Sequence, residues 1–186
     1  MTGKKGVILK RLTVGKILLI FLIVYIGFLV LPYVRHKKIP ASYQESFDVS
    51  SFYGSGPGPE RTAYIDNNND ALLWRLRLIE EAREEIILST FDFKSDEAGK
   101  DIIAALMQAS ERGVQVRVIV DGFNGVLKLT GNKYFKALVS CPGVSIKIYN
   151  PISPFRPWDM QARLHDKYLI IDNSMYMLGG RNTMEL

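Results

Sequence analysis

Residues 84–122, EEIILSTFDFKSDEAGKDIIAALMQASERGVQVRVIVDG, hold two apolar runs separated by an amphipathic one. Glu84–Phe93 has Ile86, Ile87 and Leu88 at its centre and reads as a strand with an apolar core. Ser95 or Asp96 offers an N-cap, after which Ile102, Ile103, Leu106 and Ala109 fall on one helical face. Gly113 is placed to end that helix in a left-handed conformation. Val114, Val116, Val118 and Val120 then alternate with other residues, the period of a strand, up to Asp121-Gly122. Strand, helix and strand within about 35 residues predict parallel neighbours, because a parallel pair needs a crossover of that length.

The pattern extends both ways from this unit. Towards the C-terminus a short helix is expected near Lys133–Val139 and a strand over Val144–Tyr149. An irregular loop, Asn150–Leu164, follows, with Pro151, Pro154 and Pro157. Lys167–Ile171 and Met175–Leu178 read as two strands joined at Asp172-Asn173-Ser174. Towards the N-terminus, Asn67 to Asp70 supply cap candidates for a helix carrying Leu72, Leu76 and Ile79. The expected fold is α/β, a mixed sheet flanked by helices. The glycine-rich stretch Gly122–Lys133 fails the G-x4-G-K-[ST] spacing of a phosphate loop and is expected to be plain loop. Its place after a strand still lets it rim a site. Glu80, Glu81, Glu84 and Glu85 with Arg83 read as a solvated helix end.

Ahead of this domain, Ile17–Val34 is 18 residues without a charge, enough for a membrane-spanning helix. No small-x-small cleavage site follows it; Arg35-His36-Lys37-Lys38 does, which favours an uncleaved anchor. Residues 1–38 hold eight of the 24 Lys and Arg and no acid, so beyond them 16 bases face 19 acids, a net charge of −3. The basic character therefore belongs to the membrane flanks, where anionic headgroups favour it, and is not a nucleic-acid footprint. Five bases precede the span and three follow it, which orients the domain away from the cytoplasm. The expected division is a basic segment 1–16, a transmembrane helix 17–34, a juxtamembrane tether 35–63 rich in Gly, Pro and Ser, and a catalytic half-domain 64–186. Cys141 is alone, so it can form neither a disulfide within the chain nor a cysteine zinc site; it reads as a small residue near a turn.

The chemistry concentrates in residues 164–182, LHDKYLIIDNSMYMLGGRN. His165 and Lys167 are two apart on an expected strand, so their side chains leave the same face. An ammonium beside an imidazole suits a phosphate: the lysine supplies charge, the histidine a nucleophile or proton carrier. A lone His-x-Lys arises readily by chance, but here Asp172 completes His-x-Lys-x4-Asp and Gly179-Gly180-x-Asn182 follows. His165 has no rival within the domain, the other histidine being His36 in the membrane flank. Phe155, Arg156, Trp158 and Arg163, just upstream, fit contact with lipid headgroups and packing of an ordered loop equally well.

The whole pattern resembles the signature of the phospholipase D superfamily, and its Gly-Gly-Arg-Asn ending looks closest to bacterial cardiolipin synthase-like membrane proteins. The resemblance covers roughly residues 64–186. It implies that His165 is the nucleophile or its acid–base partner and that Lys167 and Asn182 bind the phosphate oxygens, with Asp172, Gly179 and Gly180 structural. It implies a phosphohistidine intermediate, no cofactor and no metal. It also implies that two such motifs meet in one site, whereas this sequence carries one. The second is expected from chain beyond Leu186, which the abrupt ending after the motif favours, or from a homodimer partner. A histidine-orienting glutamate of the family would likewise fall past Leu186, Glu185 standing too early for it. The expected substrate is a phospholipid, cleaved by transfer or hydrolysis. A single-motif homodimeric nuclease and an inactive anchored fragment are the alternatives, and the net charge of −3 weighs against nucleic acid.

Overall fold

Val116, Val118 and Val120 sit in register with Ile86, Leu88 and Thr90, and all six side chains are buried. That pairing fixes the sheet. In this computed structural model, which describes residues 2–34, 38–53, 56 and 58–184, β1 (Glu85–Thr90), β2 (Gln115–Asp121) and β3 (Val144–Tyr149) run parallel. β4 (Tyr168–Ile171) lies antiparallel on the other side of β1, and β5 (Met175–Leu178) antiparallel to β4, giving the order β3-β2-β1-β4-β5. This is the mixed α/β sheet the sequence predicts. Residues 2–34 form one helix, α1 (Thr2–Val34).

The chain divides into two compact units, Met1–Tyr64 with Pro157–Gln161, and Ile65–Arg156 with Ala162–Leu186. In the second unit α3 (Asn68–Glu81), α4 (Glu97–Glu111) and α6 (Lys133–Val139) cover the sheet face that carries the buried valines. Asn67 caps α3 by accepting from the N–H groups of Asn69 and Asp70, and Asp96 caps α4 by accepting from Gly99 N–H. Ile102, Ile103, Leu106 and Ala109 of α4 are all buried. Each of the buried isoleucines and the leucine contributes roughly 1.5–3 kcal/mol, which holds the helix far more strongly than its propensity does. Gly113 takes φ +91° immediately after the helix, a conformation that only glycine adopts without strain. The opposite face, with Arg117 ion-paired to Glu85 at 3.0 Å, is more exposed.

The stretch expected as plain loop is instead a helix, α5 (Gly122–Leu129), started by Asp121, whose carboxylate accepts from Phe123 N–H. Two glycines within eight residues argue against a helix by propensity. Packing overrides that: a Cβ on Gly122 would fall 2.1 Å from the Asn150 carbonyl oxygen, and one on Gly125 3.1 Å from Ile148. The glycines let α5 approach the end of β3 closely.

In the first unit α1 contains one 22-residue stretch, Thr13–Val34, long and apolar enough to cross a membrane. Ile17 to Leu22 are six consecutive exposed apolar side chains, so the helix presents apolar surface all round. Two short elements interrupt the expected tether, α2 (Ala41–Ser46) and a 3-10 turn (Val49–Phe52) capped by Asp48. Within the same unit Trp158 meets Phe28 edge-on at 5.8 Å, and the Tyr33 hydroxyl donates to Gln161 Oε1 at 3.0 Å. Trp158 therefore packs against protein, while Phe155 is 88% exposed. The basic residues Arg35 to Lys37, with His36 among them, lie outside the described residues, as do Gly54, Ser55, Pro57, Glu185 and Leu186.

Candidate active site

Because β4 runs antiparallel to β1, with Tyr168 opposite Ser89, the chain just before β4 arrives beside the carboxyl end of β1. The ends of parallel strands are where open α/β sheets place their ligands. His165 and Lys167 are not on the strand, as expected from the sequence, but in the segment leading into it. The β4 ladder begins at Tyr168, whose partner Ser89 is the next-to-last residue of β1.

The two side chains nonetheless converge. The His165 ring stands 5.1 Å from the Phe91 ring, and Lys167 Nζ lies 5.6 Å from the same ring centre. His165 is exposed and Lys167 half-buried; the ammonium also donates to the His165 carbonyl at 2.8 Å. The backbone on each side of His165 is pinned. Leu164 N–H donates to Asp121 Oδ2 at 2.9 Å, and Gly179 N–H to the Lys167 carbonyl at 3.2 Å. Asp121 is fully buried at the end of β2 and also pairs with Arg163 at 3.4 Å, whose other donors reach the Asn150 and Ala162 carbonyls. Arg163 thus fastens the loop, the packing role among the two open to it.

Asn182 reaches the same edge from the far end of the motif. Its Oδ1 accepts from Asp92 N–H at 3.3 Å, beside Phe91, and Thr183 exchanges backbone bonds with Asp92 and Lys94. Its amide nitrogen, an N–H donor, is the group suited to an anion. Arg75 clamps this segment from α3, Nη1 donating to the Asn182 carbonyl at 2.9 Å and Nη2 to the Arg181 carbonyl at 2.7 Å. Phe91, Asp92 and Arg75 were not found by sequence reasoning, because no local pattern marks a residue whose partners lie about 90 positions away. Asp92 is 7% exposed and ion-paired through Oδ2 with Lys128; its Oδ1 has no partner among the described residues.

Gly179 and Gly180 are not forced by backbone or packing here. Neither takes a positive φ, and an added Cβ would meet nothing nearer than 4.0 Å at Gly179 and nothing within 4 Å at Gly180. No group of three or more His, Cys, Asp or Glu stands close enough to hold a metal among the described residues.

Asp172 faces away from this chemistry. Its carboxylate accepts from the N–H groups of Arg83, Glu84 and Glu85, each at 2.9 Å, tying the β4–β5 turn to the start of β1. Asp172 and Asn173 both have positive φ, 49° and 51°, the twist a tight hairpin turn requires. The Glu85 N–H, followed by those of Glu84 and Arg83 and by the Arg83 charge, lowers the carboxyl pKa against an opposing effect of burial. A depressed pKa stabilises the fold above the ordinary carboxylate range, and that stability is lost as pH falls through the folded-state value. Asp172→Asn is expected to cost about 1 kcal/mol at neutral pH, at the low end for a charged acceptor because the turn is partly wet. Urea midpoints measured from pH 7 to pH 3 should show the wild-type advantage shrinking with acid; parallel curves would count against this role.

Residues 76–185 match the family described as cardiolipin synthase, PLD-like domain. Cardiolipin synthase 1 of Bacillus cereus is 31% identical over 140 residues, 73% of this chain and 26% of that protein. Cardiolipin synthase B of Escherichia coli is 36% identical over 110 residues, 57% of this chain and 25% of its own. The chain therefore spans about a quarter of the length of these curated relatives. Among solved structures, NucT from Helicobacter pylori superposes with a TM-score of 0.49 at 22% identity, covering 62% of this chain and 69% of that one.

Proposed function

The chain belongs to the PLD-like domain family of cardiolipin synthase, and from that premise we propose that it is a membrane-anchored half of a phosphodiester-cleaving site acting on phospholipids. The observation that carries this is the meeting of His165 and Lys167 on Phe91, beside the Asp92 N–H that holds Asn182. One histidine attacks phosphorus, forming a P–N bond as the P–O bond to the leaving alcohol breaks; the histidine of a second motif protonates that alcohol. Water or an acceptor alcohol then gives its proton to the second histidine, its oxygen attacks phosphorus, and the P–N bond breaks. Lys167 and the Asn182 amide hold the non-bridging oxygens throughout. The unfilled ground beside Gly179 and Gly180 suits close approach of the substrate or the second half-site.

The net charge of −3 beyond residue 38 supports lipid over nucleic acid, and a lysine in the phosphate site makes a metal unnecessary. The assay is turnover of phosphatidylglycerol vesicles and of single-stranded DNA, with the second motif supplied, after exhaustive EDTA treatment. Lipid turnover that survives EDTA is expected. DNA cleavage alone would favour a nuclease, and loss restored by a divalent metal would defeat the mechanism.

Thr13–Val34, about 33 Å long as a helix, spans the hydrocarbon layer in this proposal. Five bases before Ile17 against three after Val34 favour a domain outside the cytoplasm. Protease added to intact cells should remove the domain; protection until lysis would reverse the topology.

A further inference from the structure

Arg75 and Arg181 line one cavity of about 160 Å³ with Asn68, Leu72, Ile102 and Met184. No side chain lining it is acidic. Arg75 is bound to the Asn182 and Arg181 carbonyls, and Arg181 to Asn68 Oδ1 and the Ile65 and Asp66 carbonyls. Every acceptor is neutral, and no ion pair involves either arginine among the described residues. Two positive charges thus share one cleft that no acidic side chain lines among the described residues. Burial, and then the Arg181 charge, weaken the hold of Arg75 on its proton, the direction expected where like charges lack a counterion. Each guanidinium has five N–H donors, so the bonds described leave donors on both for a further acceptor.

We propose that this cavity binds a phosphate group, held between the Arg75 and Arg181 guanidiniums as a site separate from His165 and Lys167. Two forked guanidiniums match the tetrahedral oxygens of a phosphate better than they match a single carboxylate. The volume exceeds that of a bare carboxylate, and the Leu72, Ile102 and Met184 wall accepts the carbon atoms of an ester. The helix N-termini at the cavity are already capped by Asn67 and Asp96, which leaves the anion to the two guanidiniums. The shared chemistry is a phosphate, either free or in the headgroup of an anionic lipid. Neither His165 nor Lys167 lines the cavity, although Arg181 and Asn182 from the end of the motif do.

The test uses the full chain in non-ionic detergent, carrying Lys167→Ala so that phosphate bound at the motif does not contribute. Melting temperature is followed against sodium phosphate, with ionic strength held constant by sodium chloride. A saturable rise is expected, since a ligand bound only to the folded state stabilises it. Asn68→Asp is the decisive variant. It gives Arg181 an internal carboxylate at a favourable helix start, so it should raise the melting temperature without phosphate and weaken the phosphate response by about tenfold. Micelles doped with phosphatidylglycerol, against phosphatidylcholine, separate the sources. If phosphatidylglycerol gives the rise and abolishes any further response to inorganic phosphate, the headgroup is the ligand; if only inorganic phosphate acts, free phosphate is. A melting temperature that follows ionic strength alone, or an equal phosphate response in Asn68→Asp, overturns the proposal.

Discussion

His165→Ala is expected to abolish phosphodiester turnover in any assembly to which this chain supplies its motif, while moving the melting temperature by no more than a few degrees. The fold should tolerate the change because the imidazole is exposed and rests on Phe91 at the rim, outside the core. The segment itself stays fastened by Leu164 N–H on Asp121 and Gly179 N–H on the Lys167 carbonyl. Turnover should fail because alanine offers no lone pair to attack phosphorus and no group to carry the leaving-group proton. Lys167→Ala removes one anion-stabilising donor and should cost about 10²–10³-fold in rate, less than the histidine. Denaturation curves together with lipid turnover separate the two effects. Residual turnover in His165→Ala at more than about one thousandth of wild type would remove His165 from the chemistry.

The motif residues and their structural frame differ in how far sequence exposes them. The βαβ unit is legible because periods of 2 and 3.6 alternate cleanly from Ile86 to Val120, and the structure pairs those residues as the pattern requires. α5 is illegible for the opposite reason: Gly122 and Gly125 depress helix propensity, and only the approach of β3 explains why they are glycines. The start of β4 is misplaced by one residue because Lys167 reads as strand by pattern, yet pairing starts at Tyr168. That shift matters, since it puts both polar side chains on a tethered lead-in whose geometry depends on Asp121 and Gly179. Asp92, which holds the Asn182 side chain, and Arg75, which holds its backbone, could not be found from local spacing at all. Their partners are set by tertiary packing, which a one-dimensional pattern does not encode.

A single copy of this chain should be inactive, and activity should require a second histidine on the far side of phosphorus. The double displacement needs a nucleophile and, in the same step, a proton donor at the leaving oxygen opposite to it. The chain has two histidines, and the one other than His165 is His36, 129 residues away in the basic flank after the apolar helix. His165 cannot serve both positions at once. The partner histidine comes either from a twofold-related copy or from a second motif in a longer chain, and mixing distinguishes them. If two copies form the site, combining wild-type and His165→Ala protein in equal amounts, with subunit exchange, should leave about a quarter of the dimers with both histidines. If a second motif is carried on the same polypeptide, each wild-type chain keeps its own site and about half of the activity should remain. Light scattering on the same samples fixes the species present. An active monomer of these 186 residues would defeat the requirement for a second motif outright, because His36 is its one other imidazole.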